Sequence, residues 1–448
     1  MLHWTKYKII DKFDNSLIIW NTRTSFGITI DGNIEAVCKS AENGIWNESG
    51  NEHLKQILLD SETLITKEQY DTEELLVKNF RDSIVFDESF MSLTLIPTDR
   101  CNFNCLYCYQ SDTVHNMATE TADSIVKMLE RNKSLKKLHI SWFGGEPLCN
   151  KTIVFYLMEK INELCKRKGI VLIGDMTTNA SLLDQDTFSK LYSLKVLNYQ
   201  ITIDGCMETH NIQRPTKNGQ NSYQLIMSNL IAIRDNIPGK FFKIGIRTNF
   251  TDFVDDKFQS FKYELIKNFS NDQRFYFFFQ WVKNWGGNKV SKISNALLKD
   301  DDAISKYGRW MDEMSNTQVR TGDVSMIRAG SGLCIGCRKN SFLIDTDGSI
   351  CKCTTAIYDH DFRERAVIGK VDNNGTIIKD KWKEAAWLTA DASYEDCRNC
   401  SQYPICLGMP CPYYKQKYKK VICNKDDTYV KFMLRALSRQ KKIANITI

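Results

Sequence analysis

Cys101, Cys105 and Cys108 stand in the stretch Cys-Asn-Phe-Asn-Cys-Leu-Tyr-Cys, a C-x3-C-x2-C cluster. Three thiolates on one short loop suit three irons of a cubic iron–sulfur cluster, leaving the fourth iron open. A fully ligated cluster chiefly passes electrons, whereas an open iron also accepts amine and carboxylate donors. Zinc would close its tetrahedron with a fourth nearby ligand. No other Cys or His lies within six residues of the triplet, so iron is the expected metal.

Three further motifs close apolar runs: Phe143-Gly144-Gly145-Glu146-Pro147, Thr177-Thr178-Asn179 and Ile201-Thr202-Ile203-Asp204-Gly205. Adjacent glycines let the backbone approach a ligand, and the Glu146 carboxylate can accept from an ammonium group. A second set of cysteines follows late in the chain. Cys334-x2-Cys337, Cys351, Cys353, Cys397-x2-Cys400-x5-Cys406-x4-Cys411 and Cys423 make nine. At four thiolates per closed cubane they supply two clusters with one to spare; a zinc ribbon is the alternative. Cys149, Cys165 and Cys206 lack partners at ligand spacing and are expected as buried free thiols.

Residues 89–320 alternate between strand and helix patterns. The expected pairs are Leu93–Ile96 with Glu120–Glu130, Lys137–Trp142 with Thr152–Lys166, and Val171–Met176 with Asp186–Tyr192. Leu197–Ile203 with Tyr223–Ile237, Phe242–Asn249 with Asp256–Phe269, and a last strand Phe275–Trp281 complete the series. This is parallel β/α architecture, in which chemistry collects at the carboxyl ends of the strands. The first three motifs all follow such ends.

Residues 1–88 read as a small antiparallel sheet, Tyr7–Ile10, Ser16–Trp20 and Thr24–Ile30 before an Asp31-Gly32 turn. A helix around Glu52–Leu59 and another opening at Thr72 follow, giving a winged-helix-like module. Residues 321–448 hold the late cysteines and a hairpin turning at Asp347-Gly348. Three domains are therefore expected.

The 448 residues are 42% hydrophobic and 25% charged, with net charge +6 from 60 basic and 54 acidic residues. That balance gives no reason to expect nucleic acid. No long apolar run or secretory leader is visible, so no membrane partner and a cytoplasmic home are expected. In such a setting 16 cysteines point to metal or redox chemistry rather than disulfides.

Taken together, the cysteine loop and the strand-end motifs resemble the radical S-adenosylmethionine (SAM) enzymes. The late cysteines resemble the SPASM extension of their peptide-modifying members. The resemblance implies an α/β fold: a partial (β/α)6 barrel, an N-terminal leader-peptide recognition module and a C-terminal iron–sulfur domain. It also implies roles for individual residues. Cys101, Cys105 and Cys108 hold the SAM-binding cluster, Glu146 accepts from the methionine ammonium, and Thr178 and Asn179 lie near the ribose or carboxylate. Gly144, Gly145 and Asp204 belong to the same site, Tyr107 packs by the adenine, and Arg214 with His210 contacts substrate or the SAM carboxylate. Arg247 and Asn249 are candidates of the same kind.

By resemblance, Cys334, Cys337, Cys353 and Cys411 hold a nearer auxiliary cluster, and Cys397, Cys400, Cys406 and Cys423 a farther one. Three [4Fe-4S] clusters and SAM are then the cofactors. Cys353 is preferred to Cys351 because it keeps the family's G-x4-C spacing from Gly348. Two features depart from the family: four residues rather than three separate Cys406 from Cys411, and Cys334 is unusually close to Cys337. Without Cys334 the nearer cluster would offer an open iron to a substrate thiolate.

The implied function is maturation of a ribosomally made precursor peptide with a leader, a 5′-deoxyadenosyl radical leading to Cys-to-carbon thioether crosslinks. Carbon–carbon crosslinking is the alternative, as is sulfatase-type formylglycine formation. Sulfatase maturases place Asp directly after the G-x4-C cysteine, and here that residue is Thr354. A reductase, flavodoxin or ferredoxin would supply electrons. An iron–sulfur electron carrier without SAM chemistry is the reading from another class, and the intact Gly144-Gly145-Glu146 stands against it.

Overall fold

A computed structural model describes residues 1–47, 51–110, 113–252, 257–285, 289–389, 394–423 and 427–447. The chain divides into two compact units. One comprises Met1–Phe86, Ile304–Cys337 and Thr389–Ile448; the other comprises Asp87–Ala303 and Arg338–Leu388.

In the first unit, β1 (Leu2–Trp4), β2 (Lys8–Phe13), β3 (Ser16–Asn21), β4 (Phe26–Asp31) and β5 (Leu64–Thr66) form two small sheets. β2, β3 and β4 run as the expected antiparallel meander, and β1 pairs with β5. Period-two alternation puts Leu17 and Ile19 of β3 beside Ile28 and Ile30 of β4 on one face. Helices Glu35–Asn43 and Glu52–Asp60 cover that face with Val37, Ala41, Leu54 and Leu58. Each buried aliphatic side chain there contributes about 1.5–3 kcal/mol. A fourth strand, Ala444–Thr447, joins parallel to β4 from far along the chain, with Asn445 opposite Thr29.

The next helix starts at Lys67 and runs to Val85, rather than opening at Thr72. A capping box sets the earlier start: Thr66 Oγ1 accepts from the Gln69 amide at 3.3 Å, and Gln69 Oε1 from the Thr66 amide at 2.8 Å. This helix meets the cysteine-rich part of the unit. Tyr7, Val77, Val85, Leu333, Cys337, Cys397, Tyr403, Leu407 and Met409 share one apolar cluster.

The second unit is built on β6 (Phe90–Leu95), β7 (Lys137–Trp142), β8 (Val171–Thr178), β9 (Val196–Thr202), β10 (Lys243–Phe250) and β11 (Phe275–Trp281). All six are parallel and lie side by side in chain order. Helices Thr119–Arg131, Lys151–Lys168, Gln185–Ser193, Ser222–Asn236 and Phe258–Phe269 make the crossovers that parallel pairing requires. Asp256, the expected start of the last of these, lies outside the described residues. The arrangement matches the expected partial barrel.

The sheet then grows past β6. β12 (Ser341–Ile344) pairs parallel to β6, Ser341 opposite Ser92, and β13 (Ser349–Cys351), β14 (Val367–Val371) and β15 (Ile377–Lys379) follow antiparallel. The hairpin at Asp347-Gly348 is the β12–β13 turn. Segment 338–388 is thus part of the barrel unit, and the late cysteines are shared between both units. Among the described residues, no helix is long and apolar enough to cross a membrane.

Candidate active site

Parallel order brings the carboxyl ends of neighbouring strands together, so motifs far apart in sequence become neighbours. The cysteine loop follows β6 and is fastened by backbone bonds to residues 213–217. The Asn104 amide donates to Pro215 O at 2.8 Å, the Leu106 amide to Gln213 O at 3.0 Å, and the Lys217 amide to Asn102 O at 2.8 Å. On its other side, the Gly145 amide donates to Thr98 O at 3.2 Å and the Glu146 amide to Arg100 O at 2.8 Å. A Cβ added to Gly145 would sit 2.2 Å from Arg100 O, and one added to Gly144, whose φ is +130°, 2.4 Å from Thr98 O. The two glycines thus let the loop after β7 press against the chain leading into the cysteines, where sequence had suggested approach to a ligand.

Glu146 is buried and serves as a clasp. Its Oε1 accepts from Thr178 Oγ1 at 2.7 Å and the Leu148 amide at 3.1 Å; its Oε2 accepts from the Asn179 amide at 2.7 Å. Two carboxylate oxygens offer about four acceptor sites, so room for an ammonium donor is left. Burial nevertheless raises the Glu146 pKa, against those three bonds. Asn179 reaches back to the triplet: its Nδ2 donates to Asn102 Oδ1 at 2.8 Å and stands 4.0 Å from Cys101 Sγ. Asn102 Nδ2 in turn donates to Ser181 Oγ at 2.8 Å. Ordinary polar residues such as Asn102, Ser181 and Thr98 carry no sequence signal, and reasoning from motifs passes over them.

Tyr107 sits at a second junction. Its hydroxyl donates to Asp204 Oδ2 and accepts from Arg214 Nη1 at 2.6 Å and Asn249 Nδ2 at 3.1 Å. Asp204 Oδ1 accepts from the Asn249 amide at 2.8 Å, and Arg247 Nε donates to Asn249 Oδ1 at 2.7 Å. The Arg214 guanidinium lies 5.8 Å from the Phe103 ring centre and 6.0 Å from that of Tyr107. Burial opposes its charge most, yet Cys105, Tyr107 and Asp204 together hold its pKa well above the ordinary value. The Asp204 amide donates to His210 Nδ1 at 3.1 Å, and burial followed by Arg214 pushes the His210 pKa well down, keeping it neutral. Tyr107, Asp204, His210, Arg214, Arg247 and Asn249 therefore form one network. Sequence had named them separately.

Burial raises the Cys101 thiol to about 12, with Glu146, Cys105 and Cys108 adding, and the Cys105 thiol to about 11. Iron must therefore displace protons here, which couples loading to pH. Three buried donor atoms in this region, His210 Nε2, Gln213 Nε2 and Arg214 Nε, have no hydrogen-bond partner among the described residues. A three-thiol loop bordered by orphaned donors and a carboxylate with room for one more donor fits a cluster with an open iron and an amino-acid ligand on it.

Among the described residues, no two cysteines are joined in a disulfide. Cys397, Cys400, Cys406 and Cys423 lie together in the first unit: Cys397 is raised to about 11 by burial and then by Cys406, Cys423 and Cys400. Cys411 is raised by burial and by Cys334, both in that unit. Cys353 belongs to the second unit. Its loop meets the first triplet's side through Tyr109, whose ring lies 6.3 Å from that of Tyr358 and whose pKa is raised by burial, Cys108 and Cys353. Cys351 is buried within β13. Among the described residues, no group of three or more His, Cys, Asp or Glu is arranged to hold a single metal ion.

Comparison with known proteins agrees with this geometry. Residues 95–256 match the radical SAM superfamily. An uncharacterised protein of Methanocaldococcus jannaschii, MJ0907, is 33% identical over 151 residues, 33% of this chain and 50% of that protein. The chain thus spans about half the length of such curated relatives, or less. A cysteine-type anaerobic sulfatase-maturating enzyme of Clostridium novyi is 22% identical over 341 residues, 70% of this chain and 86% of that one. Among solved structures, anSMEcpe with bound AdoMet, alone or with a Cp18Cys peptide, has TM-score 0.56 at 19% identity, covering 79% of this chain and 98% of that chain. Streptococcus suis SuiB bound to S-adenosylmethionine has TM-score 0.51 at 13% identity, covering 93% and 97%. The match over residues 95–256, the six-strand parallel sheet and the cysteine loop at its first strand end together identify a radical SAM domain in this chain.

Proposed function

We propose that the chain matures a ribosomally made precursor peptide, forming Cys-to-carbon thioether crosslinks. The observation that carries a peptide-oxidising reading is a second gathering of thiols, Cys397, Cys400, Cys406 and Cys423, in a chain that also carries a SAM-type site. When bound, SAM on an iron–sulfur cluster supplies a 5′-deoxyadenosyl radical, and an oxidised product needs an exit for a second electron. The protein's own residues do the placing. Cys101, Cys105 and Cys108 would hold the cluster, Glu146 would take an ammonium, and Arg214 would take a carboxylate. The clasp through Thr178 and Asn179 keeps these groups in register.

Support for a peptide substrate comes from the neighbours, one solved with a peptide bound. The sulfatase-maturase reading is less favoured because Thr354 stands where those enzymes carry Asp. For leader binding we assign the outer edge of β2. Ala444–Thr447 already occupies the edge of β4, and among the described residues β2 has no strand on its outer side. An extended leader would add there through backbone bonds. Residues 1–88 would then serve as the recognition module, 89–320 as the radical SAM barrel and 321–448 as the auxiliary-cluster segment, the electron donor being a flavodoxin, ferredoxin or reductase.

The test is co-expression with a short peptide encoded beside this gene, followed by peptide mass before and after thiol alkylation. Loss of hydrogen pairs together with alkylation sites is the expected result. Lost hydrogens with every thiol still alkylated would replace thioether by carbon–carbon linkage.

A further inference from the structure

The eleven residues between Cys411 and Cys423 are Pro-Tyr-Tyr-Lys-Gln-Lys-Tyr-Lys-Lys-Val-Ile. Four are lysines, at 415, 417, 419 and 420, and none is acidic. Helix Pro412–Tyr418 carries the first two and ends where Lys419 turns left-handed at φ +55°, its amide donating to Lys415 O at 3.1 Å. From Tyr418 to Cys423 the chain is exposed. Tyr418, Val421 and Ile422 show 48%, 47% and 50% of their surface, and Cys423 itself is exposed. At the other side of the same thiol group Cys397 is buried in the apolar cluster with Tyr403, Leu407 and Met409.

The four-thiol site therefore has a buried wall and an outer wall, and the outer wall consists of cations around a small apolar step. Isolated exposed aliphatics are ordinary, and charge runs are usually only solvated. Here the two coincide at the one exposed thiol of a metal-type set, a combination suited to a transient partner: complementary charge steers the encounter and a small apolar centre seats it. The acidic side chain nearest in sequence among the described residues, Asp427, is engaged with Ser401 Oγ and Gln402 Nε2 at 3.0 Å each.

We propose that Lys415–Cys423 is the docking surface for an acidic flavodoxin-type carrier, which exchanges single electrons with a cluster held by Cys397, Cys400, Cys406 and Cys423. This rests on reading those thiols as cluster ligands. The exchange makes and breaks no bond: one electron passes, so the carrier and the cluster change oxidation state by one in opposite senses. The competing role for the lysines is to offset thiolate charge, which would tune the cluster without recruiting a partner.

The experiment uses the full chain, reconstituted anaerobically, and purified flavodoxin as probe. Binding is measured by interferometry at low and raised salt for the wild type, Lys419→Glu/Lys420→Glu, Lys419→Gln/Lys420→Gln and Ile422→Ser, with iron content and dithionite reduction measured alongside. The expected result is wild-type affinity falling about tenfold as salt screens the contact. Charge reversal should weaken binding by a further tenfold or so, and neutralisation by less, with iron and dithionite reduction unchanged. Ile422→Ser, which keeps every charge, should give a smaller loss. Flavodoxin affinity that is absent at low salt, or indifferent to charge reversal, overturns the docking surface alone. Iron content that does not fall in Cys406→Ser overturns the cluster reading beneath it as well.

Discussion

The two cysteine sites are held by different mixtures of distant and local bonds. Around Cys101–Cys108 the backbone is fastened from a distance, by residues 213–217 on one side and 144–146 on the other, at the ends of parallel strands. Around Cys397–Cys411 local turns are interleaved with a few distant ties: the Gly330 and Gly332 amides donate to Pro404 O at 2.8 Å and Ile405 O at 3.0 Å, and the Tyr7 and Thr22 hydroxyls to Arg398 O at 3.2 Å and Ser401 O at 2.6 Å. The Cys400 amide donates to Cys397 O at 3.0 Å, Tyr403 to Cys400 O at 3.0 Å, Cys406 to Gln402 O at 3.2 Å and Leu407 to Tyr403 O at 2.7 Å. The first loop is thus tied on both sides to neighbouring strand ends of the barrel. The second is a chain of turns whose fourth thiol, Cys423, hangs on an exposed segment. A site meant to bind and orient a reactive ligand needs the first kind of support; a site meant to relay electrons tolerates the second.

The largest effect should come from breaking the long-range support. In Gly145→Ala the new methyl would meet Arg100 O at 2.2 Å, and backbone cannot step aside as a side chain can. The loop after β7 must retreat, taking Glu146 and its clasp with it. A displacement of this order lowers SAM cleavage by about a hundredfold. Gly408→Ala is the matched change at the other site, where φ is +68° and a Cβ would meet the Tyr403 ring at 2.9 Å. It should lower iron content by about four per chain while leaving SAM cleavage within a fewfold of wild type. Equal losses of cleavage in both variants would erase the distinction.

A smaller effect, without mutation, follows from removing iron. If the barrel alone shapes the first loop, chelation should leave the amides of residues 102–108 protected, whereas those of 397–411 exchange about thirtyfold faster. Hydrogen exchange with mass analysis of peptides from the two segments reads this directly. Equal loosening would show that metal also shapes the first loop.

The same contrast explains what could be read in the sequence. The six strands of the barrel were legible because each is a buried run followed by a helix pattern, and Lys137–Trp142 and Phe275–Trp281 lie where expected. The motif residues were legible because each sits just past such a run. What joins them was not: Thr178 and Asn179 as clasp partners of Glu146, Tyr107 as a hub, and Asn102 as a bridge depend on which strand ends meet. Pairing of β12 with β6, and of Ala444–Thr447 with β4, unites segments hundreds of residues apart, and short runs such as Ala-Asn-Ile-Thr hold no periodicity to announce it. The helix start at Lys67 was available in principle, since Thr66 and Gln69 have capping-box spacing.

The smallest effect concerns acid, and it should belong to the first site alone. His210 is buried and neutral, its Nδ1 accepting from the Asp204 amide and its ring 5.8 Å from that of Tyr223, with burial and then the Arg214 charge holding its pKa down. Its folded pKa lies well below 6.5, so on acidification the unfolded chain takes up this proton first. The stability it supports is present above pH 6.5 and is lost as pH falls, by about 0.8 kcal/mol at pH 6. Glu146 and Asp204 act in the other sense, because burial raises their pKa values and folded protein takes up their protons first. The comparison must therefore be with His210→Asn, whose side-chain oxygen can accept the Asp204 amide without titrating. Denaturant unfolding of the iron-free barrel at pH 7.5 and pH 6 should show the variant losing about 0.8 kcal/mol less than wild type between the two. Parallel losses would mean that His210 is protonated, or solvated, in the folded protein, and that the network behind Tyr107 is looser than its hydrogen bonds describe.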